Sequence, residues 1–161
     1  MSIRLIVKEP DPVLHEVAKE VTKFNANLQK LLKDMAETMY DANGVGLAAP
    51  QIGILKRVIV VDVGDENGLV KMVNPVITER EGEQIGPEGC LSIPGINGEV
   101  RRAERIVVEG QDAAGERFTI EAKGYFARAF QHEIDHLNGI LFTEIADSVY
   151  EVTDRPERGD E

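Results

Sequence analysis

The sequence has 161 residues, which is the size of one ordinary domain. Hydrophobic residues make up 42% of the chain, so it can bury a core and is not expected to be disordered. Lys and Arg number 18 against 29 Asp and Glu, which gives a formal net charge of -11. This acidic balance argues against nucleic acids and anionic membrane surfaces as partners.

Three further features concern the compartment. The longest stretch without a charged residue, Ala42 to Leu55, contains glycines and a proline and is shorter than the about 20 apolar residues of a transmembrane helix. The first residues, Met1 to Asp11, contain neither the apolar segment nor the cleavage site of a secretion signal. Cys90 is the only cysteine, which excludes an internal disulfide and suits a reducing compartment. We therefore expect a cytoplasmic protein.

Two amphipathic helices are predicted, one in each half of the sequence. Apolar residues at helical spacing place the first helix from about Asn25 to about Ala42, followed by the stop signal Asn43-Gly44. The same spacing places a second helix from about Tyr125 to Leu137. The residues that carry the two patterns are Leu28, Leu31, Leu32, Met35 and Met39 in the first, and Phe126, Phe130, Ile134 and Leu137 in the second.

Strands are predicted between the two helices, because β-branched residues cluster there. The first pair runs from Arg57 to Asp62 and from Leu69 to Thr78, with a turn between them. The second pair runs from Arg105 to Glu109 and from Arg117 to Ala122 around a hairpin loop. Antiparallel strand pairs with separate helices predict an α+β fold and a single domain over residues 1–161. Residues 150–161, rich in acids, are expected to form a flexible tail.

The most informative segment is an H-E-x-x-H pattern on the second predicted helix. His132 and His136 are four positions apart, so their Cβ atoms lie about 5–6 Å apart on one helix face and the rings can share a metal ion. Glu133 could then act as general base on a water molecule at the metal. The pattern also arises by chance, and two histidines can simply form hydrogen bonds, so the residues alone leave both interpretations open.

A catalytic site of this kind needs a third protein ligand. Glu144 and Asp147 follow the histidines, and Cys90 precedes them in a stretch rich in glycine and proline. A lone cysteine is more often a small buried hydrophobe than a ligand. Sequence spacing therefore does not choose among the three.

The segment from Gly44 to Gly53 is rich in small residues, which let a backbone approach a ligand closely. It lacks the Lys of a phosphate-binding loop, so nucleotide binding is not supported. The amide of Gln51 could polarise a carbonyl group. Alternatively, the segment only packs a tight corner between a helix and a strand.

Taken together and in this order, three segments resemble the peptide deformylase family, in its shorter bacterial form. They are Gly44–Gln51 (G-x-G-L-A-A-x-Q), Glu88–Ser92 (E-G-C-L-S) and Gln131–His136 (Q-H-E-x-D-H), and the resemblance spans about Asp11 to Phe142. It implies antiparallel β-sheets packed around a central helix that carries the H-E-x-x-H motif. It also implies an enzyme that removes the formyl group from N-formylmethionyl peptides and releases formate.

The resemblance assigns roles to individual residues. The metal ligands would be Cys90, His132 and His136, and the general base would be Glu133. The Gln51 side chain and the Leu91 backbone N–H would stabilise the oxyanion. Contacts with substrate are implied for Val45, Gly46, Gly89 and Ala129, in a methionine pocket that Arg128 borders. Glu88 and Asp135 would orient the metal ligands or, alternatively, form a surface salt bridge.

The implied cofactor is one divalent metal ion, natively Fe²⁺, with Zn²⁺, Ni²⁺ or Co²⁺ in some preparations. The implied partners are N-formylmethionyl peptides and nascent chains, and we expect a monomer. The acidic tail argues against docking on the ribosome through a basic C-terminal helix. Two alternatives are a general H-E-x-x-H endopeptidase and a non-catalytic peptide-binding domain with a structural metal.

Overall fold

The computed structural model of the chain describes residues 3–152. Their helices are α1 (Ala26–Asp41), α2 (Gly124–Leu137) and α3 (Phe142–Ile145). Their strands are β1 (Gly46–Ala48), β2 (Val58–Val61), β3 (Val70–Glu81), β4 (Gln84–Cys90), β5 (Ile93–Arg102), β6 (Arg105–Gln111), β7 (Arg117–Lys123) and β8 (Ser148–Glu151). Short 3-10 turns cover Pro12–His15 and Ala49–Ile52.

The strands form two antiparallel sheets. The larger sheet has five strands in the order β1-β2-β3-β6-β7, and the smaller has three in the order β4-β5-β8. The two predicted hairpins are present as β2-β3 and β6-β7, both within the larger sheet. The α+β class with antiparallel sheets is therefore confirmed.

Helix α1 has nearly the predicted bounds because local signals define both of its ends. The Asn25 side chain accepts a hydrogen bond from the Leu28 N–H, which caps the first turn. At the other end, Asn43 takes a positive φ of 58°, a conformation that asparagine tolerates better than most residues. The apolar face of α1 is buried against Val58 and Val60 of β2.

Helix α2 is the central helix on which the site is built. Its apolar face, which includes Phe126, Phe130 and Ile134, packs on the larger sheet against residues such as Ile59 and Ile106. Its other buried residues are polar or charged: Arg128, Gln131, His132, Glu133 and His136. Buried polar groups need partners, and the smaller sheet supplies several of them.

The hairpin β4-β5 is absent from the sequence prediction. Glycines and prolines interrupt any apolar alternation in it, as at Gly86, Pro87 and Gly95. Pro87 is tolerated because β4 lies at the edge of its sheet, where a missing N–H costs no ladder hydrogen bond. The register shifts between Gly89 and Cys90, so β4 ends with an irregularity at the cysteine.

The C-terminal part of the described chain returns to the smaller sheet. Strand β8 pairs with β5, and the Val152 N–H donates to the Gly95 carbonyl over 2.8 Å. Tyr150 and Glu151 are thus paired in a strand, although the sequence predicted a flexible tail from about residue 150. The rest of that predicted tail, residues 153–161, lies outside the described residues. No helix in the described range 3–152 is long and apolar enough to span a bilayer.

Candidate active site

The three sequence motifs meet at one cavity of about 320 Å³. The sequence-predicted residues that line it are Val45, Gly46, Gln51, Glu88, Gly89, Cys90, Leu91, Arg128, Ala129, His132 and Glu133. His136 lies behind this lining, against the sulfur of Cys90. Strand β1, the end of β4 and helix α2 therefore bring together residues that are far apart in the sequence.

Cys90, His132 and His136 form a compact group. Their ligand atoms all lie within 4.8 Å of one another, and the Cys90 Sγ is 3.3 Å from the His136 Nε2. In a tetrahedral site with metal–sulfur bonds of about 2.3 Å and metal–nitrogen bonds of about 2.0–2.1 Å, sulfur and nitrogen are separated by about 3.5 Å. The donor set and its spacing thus fit one divalent transition metal.

The two acids downstream of the histidines are engaged elsewhere. The Glu144 Oε2 accepts a hydrogen bond from the Leu141 N–H at the start of α3. The Asp147 carboxylate pairs with Arg101 over 2.8 Å. The geometry therefore favours Cys90 as the third ligand, which sequence spacing had left open.

Glu88 fixes the orientation of His132. The His132 Nδ1–H donates to the Glu88 Oε1 over 2.8 Å, which leaves the Nε2 atom for a metal. Arg102 binds the same carboxylate through two bonds of 2.8 Å and also reaches Asp135 over 2.6 Å. With 6% of its surface exposed, Glu88 does not form a surface salt bridge.

The charges in this network oppose the effect of burial on the pKa of Glu88 and add to its effect on the pKa of His136. Burial alone would raise the pKa of Glu88, but hydrogen bonds from Arg102 and His132 bring that pKa well below its usual range. Burial lowers the pKa of His136, and the nearby charges of His132 and Arg102 lower it further. His136 is therefore neutral, which is the form that binds metals.

Glu133 lines the cavity, and one of its carboxylate oxygens forms no hydrogen bond within the described residues. Its Oε1 is buried and has no hydrogen-bond partner within residues 3–152. Burial raises the pKa of Glu133 to about 7, although the charge of His132 acts in the opposite direction. A buried carboxyl group with a pKa near neutrality can both accept and return a proton.

The Gln51 amide is held in a single orientation. Its Oε1 accepts from the Ala48 N–H over 3.0 Å, and its Nε2 donates to the Ser92 Oγ over 3.2 Å. The same Nε2 lies 3.5 Å from the Cys90 Sγ, so the amide N–H group faces the proposed metal ligands. Leu91 follows Cys90 directly and lines the cavity.

Strand β1 is an edge strand beside the cavity. The Val45 carbonyl accepts from the Asp62 N–H over 2.9 Å and is therefore committed to the larger sheet. Because backbone groups alternate in an antiparallel pair, the N–H and C=O of Gly46 point away from β2. Gly46 can thus pair with an added extended peptide, while Val45 only borders the cavity.

Sequence reasoning did not identify Ser92, which positions Gln51, or Arg102, which positions Glu88. Ser92 belongs to the E-G-C-L-S motif, so the resemblance could have indicated it. Arg102 had no such signal, because its importance depends on a contact across the β4-β5 hairpin.

The fold and the site define a metal-dependent hydrolase with an H-E-x-x-H helix, open to an extended peptide along one strand edge. Comparison with known proteins identifies the family of hydrolases to which the chain belongs. Residues 3–151 match the sequence model of the polypeptide deformylase family. The chain belongs to this family, whose members are enzymes that remove N-formyl groups from nascent peptides in a metal-dependent reaction.

Several relatives have this similarity over nearly their whole length. A peptide deformylase of Pelotomaculum thermopropionicum is 60% identical over 92% of this chain and 95% of the relative. One of Carboxydothermus hydrogenoformans is 55% identical over 92% of this chain and 97% of the relative. The crystal structure of the Thermotoga maritima peptide deformylase matches with a TM-score of 0.88 and 48% identity, over 92% of this chain and 100% of that one.

Proposed function

We propose that this chain hydrolyses the formyl amide at the N-formylmethionyl end of newly made polypeptides, releasing formate and a free amine. The observation that carries the proposal is the meeting of Cys90, His132 and His136 with Glu133 in one cavity bordered by strand β1. The activity requires each of these parts: metal ligands, a proton carrier and a surface that holds a peptide.

The proposed metal ligands are the Cys90 Sγ and the Nε2 atoms of His132 and His136. When bound, the metal would lower the pKa of a water molecule and polarise the formyl carbonyl. A thiolate with two imidazoles suits Fe²⁺, Zn²⁺, Ni²⁺ or Co²⁺, and we propose Fe²⁺ as the native ion by similarity to the family. Glu88 acts on His132 by holding its Nδ1–H.

Glu133 is the proposed carrier of the proton. It takes a proton from the attacking water and returns it to the nitrogen of the departing amine. Its buried, unengaged Oε1 and its raised pKa of about 7 support both steps, since neither protonation state is strongly favoured at neutral pH.

Two N–H groups are proposed to stabilise the negative charge that develops on the formyl oxygen. One is the Gln51 side-chain amide, already oriented by Ala48 and Ser92. The other is the backbone N–H of Leu91. Donors fixed before the reaction stabilise a developing charge without the cost of reorganisation.

The substrate is proposed to lie along β1 as an additional strand paired with Gly46. Its methionine side chain would enter the cavity between Val45, Leu91 and Ala129, and Gly89 also lines this cavity. Since the proposed substrate is a nascent or newly released chain, we propose the cytoplasm as the place of the reaction. A monomer suffices for it, because all these residues come from one chain.

Anaerobic purification with metal analysis, followed by a formate-release assay on formyl-Met-Ala-Ser, tests the proposal. We expect a transition metal close to one equivalent, and formate released without cleavage of the internal peptide bonds. Internal cleavage would indicate the endopeptidase alternative instead. A metal-loaded protein that releases neither formate nor fragments would support a non-catalytic peptide-binding domain.

A further inference from the structure

Arg128 is a buried arginine that borders the substrate cavity and also touches the network behind the metal site. It lies on α2, one turn before His132, and only 5% of its surface is exposed. Its Nη1 donates to the Glu88 Oε2 over 2.7 Å and to the Val100 carbonyl over 3.1 Å. Its Nε donates to the Gln84 Oε1 over 3.2 Å.

These bonds complete the coordination of the Glu88 carboxylate. Oε1 accepts from His132 and from Arg102, and Oε2 accepts from Arg102 and from Arg128. A carboxylate offers about four lone-pair sites, so every site is occupied. The carboxylate consequently has one favoured orientation, and that orientation directs Oε1 at the His132 Nδ1.

The two arginines hold Glu88 from different parts of the fold. Arg102 ends β5, so it moves with the hairpin that carries Glu88 itself. Arg128 belongs to α2, the helix that carries His132. Its bonds to Glu88 and Val100 therefore connect that helix to both β4 and β5. Arg128 thus connects the helix to the hairpin one turn before His132, in addition to the bond between Arg102 and Asp135 near the end of the helix.

We propose that Arg128 is a positioning residue for the metal centre, holding Glu88 so that His132 keeps the orientation in which its Nε2 binds the metal. This inference rests on the metal site of the proposed function. Glu88 transmits the effect, and the Arg128 side chain has no described hydrogen bond with either imidazole ring.

Arg128 also forms part of the cavity wall, and this second role can be measured separately. Its Nη2 has no hydrogen bond within the described chain and lies 3.3 Å from the place where a Cβ at Gly86 would be. A change in the wall alone alters the fit of the substrate and therefore KM. A change in the metal centre alters metal retention and kcat.

The test uses cobalt-loaded full-length protein, with chelator-driven cobalt release and the visible cobalt spectrum as readouts, beside kcat and KM for formate release. We expect Arg128→Met to bind cobalt more weakly, by up to the about 10–100-fold that is typical for loss of a ligating histidine's partner, and so to release it faster to the chelator. Arg128→Lys, which keeps the charge and a donor, should release cobalt more slowly than Arg128→Met and at a rate close to that of the parent protein. Glu88→Gln combined with Arg128→Met should be no worse than Glu88→Gln alone, since both act through one carboxylate.

Arg105→Met is the matched control, because Arg105 pairs with Glu79 and Glu121 on the larger sheet, away from the cavity. The proposal is overturned if Arg128→Met keeps the parent cobalt spectrum and release rate, or changes KM alone. It is also overturned if the Glu88 and Arg128 effects multiply. If Arg128→Met does not fold, Arg128→Gln replaces it, and Arg128→Lys must then release cobalt more slowly than the Gln variant. Cobalt release can be measured whether or not the parent protein has deformylase activity, so failure of this inference and failure of the proposed function can be told apart.

Discussion

A Cβ atom at Gly46 would lie 2.5 Å from the Oε2 of Glu133. Real Cβ atoms do not approach an oxygen so closely, so any side chain at position 46 would force the Glu133 carboxylate to move. The glycine therefore connects the two functions of the site. It brings the strand edge proposed to hold the peptide next to the carboxylate proposed to move the proton.

Gly46→Ala is expected to displace Glu133 and to lower kcat by at least about 10²-fold, the lower range for loss of general acid–base catalysis. Metal content should remain near that of the parent protein, because neither Gly46 nor Glu133 is among the three grouped ligands. Formate release and metal analysis on the same sample measure both effects.

Gly44→Ala is the matched comparison for this variant. Its Cβ would meet the Leu91 Cδ1 at 2.8 Å, the end of a flexible side chain that can rotate away. We expect a smaller loss of activity than for Gly46→Ala. Equal losses in the two variants would indicate a general distortion of residues 44–46 rather than a displaced Glu133.

Glu133→Ala separates the catalytic interpretation from a structural metal site. The variant should bind metal normally, because Glu133 is not among the three grouped ligands. Its turnover should fall by about 10²–10⁴-fold, since a positioned acid–base group contributes about that much. Retained turnover together with retained metal would remove Glu133 from the proposed mechanism.

Much of the fold could be predicted from local patterns. The helix that became α1 was predicted to within a residue at each end, because its apolar spacing and the Asn25 cap are local signals. The hairpin β4-β5 could not be predicted, because Gly86, Pro87 and Gly95 remove the alternation by which strands are identified. Its pairing depends on contacts with the rest of the fold.

In the candidate site, too, features with a local signal could be predicted and features that depend on distant contacts could not. Cys90 could be connected with His132 only through the ordered motifs of a family, since no spacing rule relates two segments so far apart. The partners that orient the site were not predictable from their own surroundings. Ser92 acquires its role from Gln51, and Arg128 from Glu88, both through contacts between residues about forty positions apart, as their separations of 41 and 40 show.

Cys90→Ala is expected to lose metal. The thiolate supplies one of three protein ligands, and a metal site with two remaining imidazoles holds divalent ions much more weakly. Metal analysis after dialysis against a chelator should show a strong decrease relative to the parent protein. Retention of a full equivalent would show that another residue completes the ligand set. Thermal unfolding of both metal-free proteins controls for a loss of folding.

Asp34 should make the stability of the fold depend on acid pH. Its carboxylate is 2% exposed and pairs with Arg4 over 2.8 Å and with Lys30 over 3.1 Å. Burial alone would raise the pKa of Asp34, but the hydrogen bonds from Arg4 and Lys30 bring the pKa below its ordinary value. A carboxyl group whose pKa is lower in the folded than in the unfolded chain stabilises the fold above the unfolded pKa of about 3.9.

This stabilisation should be lost as the pH falls through the lower, folded pKa of Asp34. In Asp34→Asn, the free energy of unfolding should be reduced at pH 7, and it should change less than in the parent protein between about pH 5 and pH 3. Urea unfolding at a series of pH values measures both quantities. Glu66→Gln, which removes an exposed carboxylate in the β2–β3 connection, is the matched control. Parallel stability profiles of the parent protein and Asp34→Asn over this interval would show that the Asp34 ion pairs do not contribute to acid sensitivity.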